Sequence, residues 1–212
     1  MRCVVANKWV NGTNNFEYVE GTQAIDDNPY SLGFLIRHNN FRYFTAGDLM
    51  IAQEDKTAAF LNPNNNNAGH VCAVKISHHG AAKSTSAAYL ARMLPRAAFI
   101  STGFLNGYGH PKDTALNNIE GSPRIQYYYL SSCGSAVADA RLLGCSGHKL
   151  NQVVVNAMGR VAGDRPRGAP VTHRGDIVLR VTNAQSVLTP HQFTVDYYEH
   201  DNGALLTKNH TC

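Results

Sequence analysis

The sequence predicts a layered α/β fold, on three observations. Strand and helix signals alternate from Val71 to Leu130, and polar clusters stand directly beyond apolar runs. Apolar residues make up 43% of the chain and charged residues only 16%, a balance that suits a buried core and excludes a disordered chain. At 212 residues the chain is long enough to bury such a core. No stretch approaches the roughly 20 apolar residues that a spanning helix needs, and Met1 to Val10 has no run of signal-peptide length. The five cysteines, Cys3, Cys72, Cys133, Cys145 and Cys212, are odd in number and scattered, with no C-x-x-C pair. They are therefore read as reduced thiols in a cytoplasmic protein. The formal charge of +4 comes without a Lys/Arg block, so it permits phosphate binding without demanding it.

Taken in order, the apolar stretches Ser31 to Arg37 and Arg42 to Thr45 flank His38-Asn39-Asn40 and predict a hairpin with an Asn-rich turn. Ala52 to Leu61 predicts a short helix, stopped by Asn62-Pro63, and the run Asn64 to Asn67 reads as loop. Val71 to Ile76 is rich in β-branched residues and predicts a strand, after which Ser84 or Thr85 caps a helix that Pro95 terminates. The pattern repeats with a strand at Ala97 to Ser101, a Gly-rich loop to His110, and a helix begun by Pro111 and reaching about Ile119. A Tyr-rich strand at Ile125 to Leu130 follows. Beyond it the segment Ser131 to Arg167 offers one strand, Gln152 to Val155. Asp176 to Thr182 and Gln192 to Tyr198 alternate apolar and polar positions, as a half-exposed antiparallel pair closing one side of the sheet would.

Three clusters carry the candidate chemistry: Ala46-Gly47-Asp48, Ser77-His78-His79-Gly80 and Gly107-Tyr108-Gly109-His110-Pro111. Each lies just past a strand, where α/β proteins gather their sites. Carboxylate and imidazole together suit zinc, manganese or iron. Each cluster also has a plain reading: Asp48 as a turn former or N-cap, His78 and His79 as one surface and one packed ring, His110 as a loop residue against Pro111. The other histidines, His38, His70, His148, His173, His191, His200 and His210, lack such placement and read as structural or solvated.

The ordered set covering about Asn28 to Leu130 resembles the later part of the ComEC-like metallo-β-lactamase family, found in DNA-uptake proteins. It comprises Asn28-x-x-Ser31, Phe44-Thr45-Ala46-Gly47-Asp48 with Glu54, Lys75-Ile76-Ser77-His78-His79-Gly80 with Ser84-Thr85-Ser86, Ile100-Ser101-Thr102-Gly103, and Asn106-Gly107-Tyr108-Gly109-His110-Pro111. The resemblance implies a four-layered αββα sandwich with a metal site between its sheets. It implies that Asp48 matches a metal-bridging aspartate, that His110 matches the final histidine ligand, and that His78 or His79 is a ligand or a catalytic partner. His79 is taken as the ligand and His78 as the catalytic group. Lys83 or Ser84, just past the double histidine, is assigned to steady a phosphate oxygen.

The family's H-x-H-x-D-H motif is absent. The expected architecture is thus an incomplete sandwich lacking its N-terminal half: residues 1–135 form the C-terminal half of the domain, and residues 136–212 an extension packed on it. A complete site would hold two zinc or manganese ions. The resemblance implies metal-dependent hydrolysis, with nucleic-acid phosphodiesters as substrate and weak activity in the isolated chain, and a partner chain supplying the other half. Two alternatives stand beside it: a non-catalytic remnant or interaction domain, and hydrolysis of a small ester, lactam or thioester. An apolar patch on Ser31 to Arg37 and Val71 to Ile76 is expected where the missing half would dock.

Overall fold

The computed structural model describes residues 1–11, 16–19, 27–61, 71–102, 108–131, 153–154, 175–181, 192–199 and 205–212. The fold is mixed α/β. A nine-stranded sheet runs in the order β3-β2-β1-β4-β5-β6-β7-β8-β9, and a three-stranded sheet in the order β10-β11-β12. The large sheet contains β1 (Arg2–Ala6), β2 (Trp9–Asn11), β3 (Phe16–Tyr18), β4 (Gly33–His38), β5 (Phe41–Ala46), β6 (Ala73–Lys75), β7 (Ala97–Ile100), β8 (Tyr127–Leu130) and β9 (Val153–Val154). Pairings from β1 to β5 are antiparallel, and those from β5 through β9 are parallel.

The β4–β5 hairpin turns at Asn39, whose φ of 51° is the left-handed conformation that Asn tolerates. The three parallel crossovers from β5 to β8 each carry one helix: α1 (Ile51–Phe60), α2 (Ala87–Met93) and α3 (Asp113–Glu120). The side chain of Gln53 accepts from the Met50 amide (3.2 Å) and donates to the Pro29 carbonyl (2.7 Å), fixing the start of α1. The cap of α2 is Ser86 rather than Ser84 or Thr85, since its hydroxyl accepts from the Tyr89 amide at 3.0 Å. α3 starts two residues after Pro111, whose bond to His110 is cis. Pro111 therefore shapes the loop instead of opening the helix.

Period-two alternation builds two cores on the large sheet. On β7, Ala98 and Ile100 join one cluster with Leu61, Leu90, Met93, Leu116 and Ile119 of the helical layer. Ala97 and Phe99 face the opposite way and join Phe41, Ala73 and Tyr129 against Phe193, Val195 and Tyr197. Those last three belong to β11 (Gln192–Glu199), which pairs antiparallel with β10 (Gly175–Val181) and β12 (Leu205–Thr211). The described residues therefore make three layers: helices, large sheet and small sheet.

Several expectations change accordingly. The small sheet covers a face of the large one instead of closing its side. The apolar docking patch expected on Ser31 to Arg37 and Val71 to Ile76 is mostly covered within the chain: Val71, Val74, Ile76 and Leu35 are buried on the helix side, Cys72 and Ala73 under the small sheet, and Leu32 and Ile36 are exposed. β1 to β3 and β12 add strands that no alternation signalled, and β9 places part of the region beyond residue 135 in the large sheet. Cys72 and Cys212 are not reduced thiols but a disulfide, with Cα atoms 4.9 Å apart and 140 residues between them in sequence. Cys3 is a free, exposed thiol. Among the described residues no helix is long and apolar enough to cross a membrane. The Asn64 to Asn67 loop, Cys133 and Cys145 lie outside the described residues, as do His70, His148, His173, His191 and His200.

Candidate functional site

The carboxyl ends of the parallel strands are where backbone groups run out of partners and loops must begin. Asp48 follows β5, the double histidine follows β6, Ser101 follows β7, and His110 precedes α3. Their loops are tied together by backbone contacts. The His78 amide donates to the Gly47 carbonyl (3.2 Å), the Lys112 amide to the Gly80 carbonyl (2.8 Å), and the Asp48 amide to the Ser31 hydroxyl (2.8 Å). A Cβ on Gly47 would meet the Ser31 hydroxyl at 2.9 Å, so only glycine lets the Asp48 loop approach.

The turn that presents the histidines is strained. His78 and His79 have φ of 47° and 53°, and Gly80 follows at 77°. Left-handed backbone in two consecutive non-glycine residues costs on the order of 1–3 kcal/mol each and persists only where surroundings impose it. A Cβ on Gly80 would stand 2.8 Å from that of Pro111, which explains the glycine after the pair.

Four side chains meet here. His79 Nε2 lies 3.6 Å from Asp48 Oδ1. The rings of His79 and His110 are stacked with centroids 6.5 Å apart, and His78 meets His110 edge-on at 5.6 Å. Exposed Tyr108 stacks on the same His110 ring at 5.9 Å. His79 Nδ1 faces the Ser101 carbonyl oxygen at hydrogen-bond distance. A carbonyl only accepts, so Nδ1 carries a proton and Nε2 is the ring nitrogen turned toward Asp48. Metal-ligating histidines are commonly oriented by this kind of support. His78 Nε2 pairs with the Asn28 amide at 3.3 Å, while its Nδ1 is buried without a hydrogen-bond partner.

Burial lowers the pKa of His110, and the neighbouring His78, Lys112 and His79 lower it further against the opposing pull of Asp48. His110 is thus held neutral at physiological pH, as a ligand or proton acceptor must be. Burial also pulls the Lys75 ammonium below the usual lysine range, partly offset by Asp48.

The structure gathers Asp48, His78, His79 and His110, while the hydroxyl of Ser84, one of the assigned phosphate-steadying pair, is spent elsewhere. Ser84 is buried, and its hydroxyl is committed to the Ser77 and Ala81 carbonyls at 3.1 and 3.0 Å. Lys83 is exposed, and its backbone carbonyl receives the Ile51 amide at 3.1 Å. The cation that acts on the cluster is Lys112, whose ammonium donates to the Tyr108 carbonyl at 2.6 Å. Lys112 does not stand out in sequence, although it is two residues past His110, and Ser101 enters only through the Ile100-Ser101-Thr102-Gly103 string of the resemblance. Among the described residues, no three His, Cys, Asp or Glu groups are gathered so as to hold a metal ion.

Glu54 lies one shell behind. It is fully buried on α1 and accepts from the Thr85 amide, so it braces the loop that follows the histidines. Burial raises its pKa to about 7, against the opposing hydrogen bonds of Thr85 and Ser77. Comparison of the chain with protein-family models, curated proteins and solved structures returns no match in any of the three.

Proposed function

We propose that the chain is a hydrolase acting through a metal-assisted centre at Asp48, His79 and His110, with phosphodiesters as the preferred substrate. The observation that carries this reading is the orientation of His79. Its Nδ1 is anchored on the Ser101 carbonyl and its Nε2 lies 3.6 Å from Asp48. Two donors sharing a tetrahedral ion with bonds of about 2.0 Å stand roughly 3.3 Å apart, so this pair is close to co-ligand spacing. One carboxylate with imidazoles is a donor set suited to zinc or manganese. It supplies enough donors for one ion rather than the two of a complete site. Asp48, His79 and His110 would hold that ion, which when bound supplies Lewis acidity and brings the pKa of water toward neutrality.

The chain's own groups do the rest. Neutral His110 keeps a lone pair available at pH 7. His78, whose Nε2 accepts from the Asn28 amide, packs edge to face beside it. Lys112 brings positive charge to the side where an anionic oxygen would lie. The order of motifs resembling the ComEC-like metallo-β-lactamase family supports this reading, and a fourth layer of its αββα sandwich belongs to the same proposal. The disulfide favours an oxidising compartment over the cytoplasm expected from the thiol reading.

A second reading, a non-catalytic domain, is favoured by the lack of three gathered donors among the described residues. Calorimetric titration of chelator-treated protein with Zn²⁺ and Mn²⁺, followed by assay on bis(4-nitrophenyl) phosphate, separates the two. One ion per chain with measurable hydrolysis is expected, and both should fall by roughly 100-fold in Asp48→Asn and His110→Ala. Absence of ion uptake together with absence of hydrolysis overturns the hydrolase and leaves the second reading.

A further inference from the structure

A cavity of about 290 Å³ lies between the two sheets, and its walls begin where the candidate centre ends. Its apolar walls are Tyr43 and Phe99 of the large sheet and Ile177 and Leu179 of β10. Tyr43 and Phe99 meet edge to face with centroids 6.0 Å apart. Ser131 and Asp176 also line the cavity, and two further polar residues on the same walls adjoin the loops of the centre. One is Ser101, whose carbonyl orients His79. The other is Lys75, which donates to the Ala46 carbonyl at 2.9 Å, two residues before Asp48, and to the Ile76 carbonyl at 3.4 Å.

These features select an occupant. The volume is roughly twice the ~150 Å³ that encloses one benzene ring, which is the size of a fused two-ring system. Aromatic and branched walls favour a flat face. An ammonium has three N–H donors, and Lys75 spends two on backbone carbonyls. The third is left for an acceptor on the ring edge. A flat bicyclic heterocycle with edge acceptors is a purine, and lysine donating to ring N7 or a neighbouring carbonyl oxygen is a common way of reading one.

We propose that this inter-sheet cavity binds a purine base, with Lys75 donating to its edge and Ile177 and Leu179 closing over its face. The proposal rests on the phosphodiester reading only for its choice of substrate. A base seated there places the attached sugar and phosphate on the Ser101 side, toward Asp48 and the histidines. Occupancy itself needs neither metal nor turnover.

The test is direct binding to the whole, chelator-treated protein, read by ligand-observed NMR and calorimetry. Adenosine and guanosine 5′-monophosphates are the probes, ribose 5-phosphate is the base-free control, and bis(4-nitrophenyl) phosphate hydrolysis is measured separately on metal-loaded protein. The purine nucleotides should bind at least 10-fold more tightly than ribose 5-phosphate. That binding should be lost in Leu179→Trp, which fills the cavity from the small sheet, and weakened in Lys75→Met. Circular dichroism and thermal melting confirm that each variant is folded, and Ile177→Phe replaces any that is not. Equal binding of ribose 5-phosphate, no binding of the purines, or binding that survives Leu179→Trp would overturn the proposal. Purine binding without hydrolysis upholds the cavity while sinking the hydrolase, and hydrolysis without purine binding does the reverse.

Discussion

At the scale of single residues, the loops of the site rest on buried groups behind them. Glu54 has the largest consequence. Its carboxyl titrates near 7 in the fold against an ordinary value of 4.5, so the folded protein binds more protons than the unfolded chain between those values. The contribution of Glu54 is therefore whole below pH 4.5, declines as pH rises to about 7, and stays lost above it. The difference is on the order of 3 kcal/mol. Glu54→Gln keeps an acceptor for the Thr85 amide and should abolish that decline, so the variant gains on the wild type in urea melts at pH 8 but not at pH 5. Gly80 gives a second prediction. Alanine there must adopt a φ of 77° with its Cβ 2.8 Å from that of Pro111, so Gly80→Ala should lose about 2–4 kcal/mol in denaturant melts. The same change should weaken metal uptake, because it displaces His79.

The same scale explains what could be read of the site in advance. Asp48, His78, His79 and His110 were legible because each follows an apolar run at a strand end, and strand ends of a parallel sheet share one edge. The contacts that support them were not. Asn28 and Ser101 stood in the motif strings, but a backbone carbonyl has no signature of its own, and Asn28 reaches His78 across 50 residues. Ser84 misled for the complementary reason: it is near the histidines in sequence, but the loop folds its hydroxyl inward onto the Ser77 and Ala81 carbonyls.

At the scale of elements, the helices and central strands were legible from β-branched runs and from proline and asparagine stops. β1 to β3 were not, because strands of three to five residues interrupted by a register shift between Cys3 and Val5 leave too few positions for alternation to show. β12 was hidden by its polar sequence, Leu205–Thr211, which includes a buried His210. That histidine accepts from the Tyr129 hydroxyl at 2.6 Å and stacks on Phe193 at 4.8 Å. Burial first, and Lys208 second, lower its pKa from 6.5 to about 4. The unfolded chain then takes up a proton that the fold refuses, so this contribution is whole above pH 6.5 and is lost as pH falls toward 4. Its window overlaps that of Glu54 with the opposite sign. His210→Gln should therefore flatten the acid limb of the stability curve, measured by thermal melting from pH 7 to 4, while leaving the limb governed by Glu54 in place.

At the scale of the whole molecule, the layering was only half legible. Strand and helix order predicted α/β, but which element would cover the second sheet face depends on long-range packing that periodicity cannot specify. The small sheet covers it, and a covalent bond fastens it there. Removing that bond by Cys212→Ser should lower stability by about 2–5 kcal/mol through the entropy of the long unfolded loop. Guanidinium midpoints of variant and wild type, compared with and without reductant, check it: reductant should shift the wild type toward the variant and leave the variant unmoved.

The Cys72–Cys212 bond also turns the intervening chain into a closed ring that holds β6 to β12. A protease that nicks this ring once opens it without releasing anything, because both pieces remain tied through the sulfurs. The nicked molecule should run as a single band on a non-reducing gel and as two on a reducing one. Damage to one connection between the sheets is thus mechanically silent until a second cut or a reductant follows.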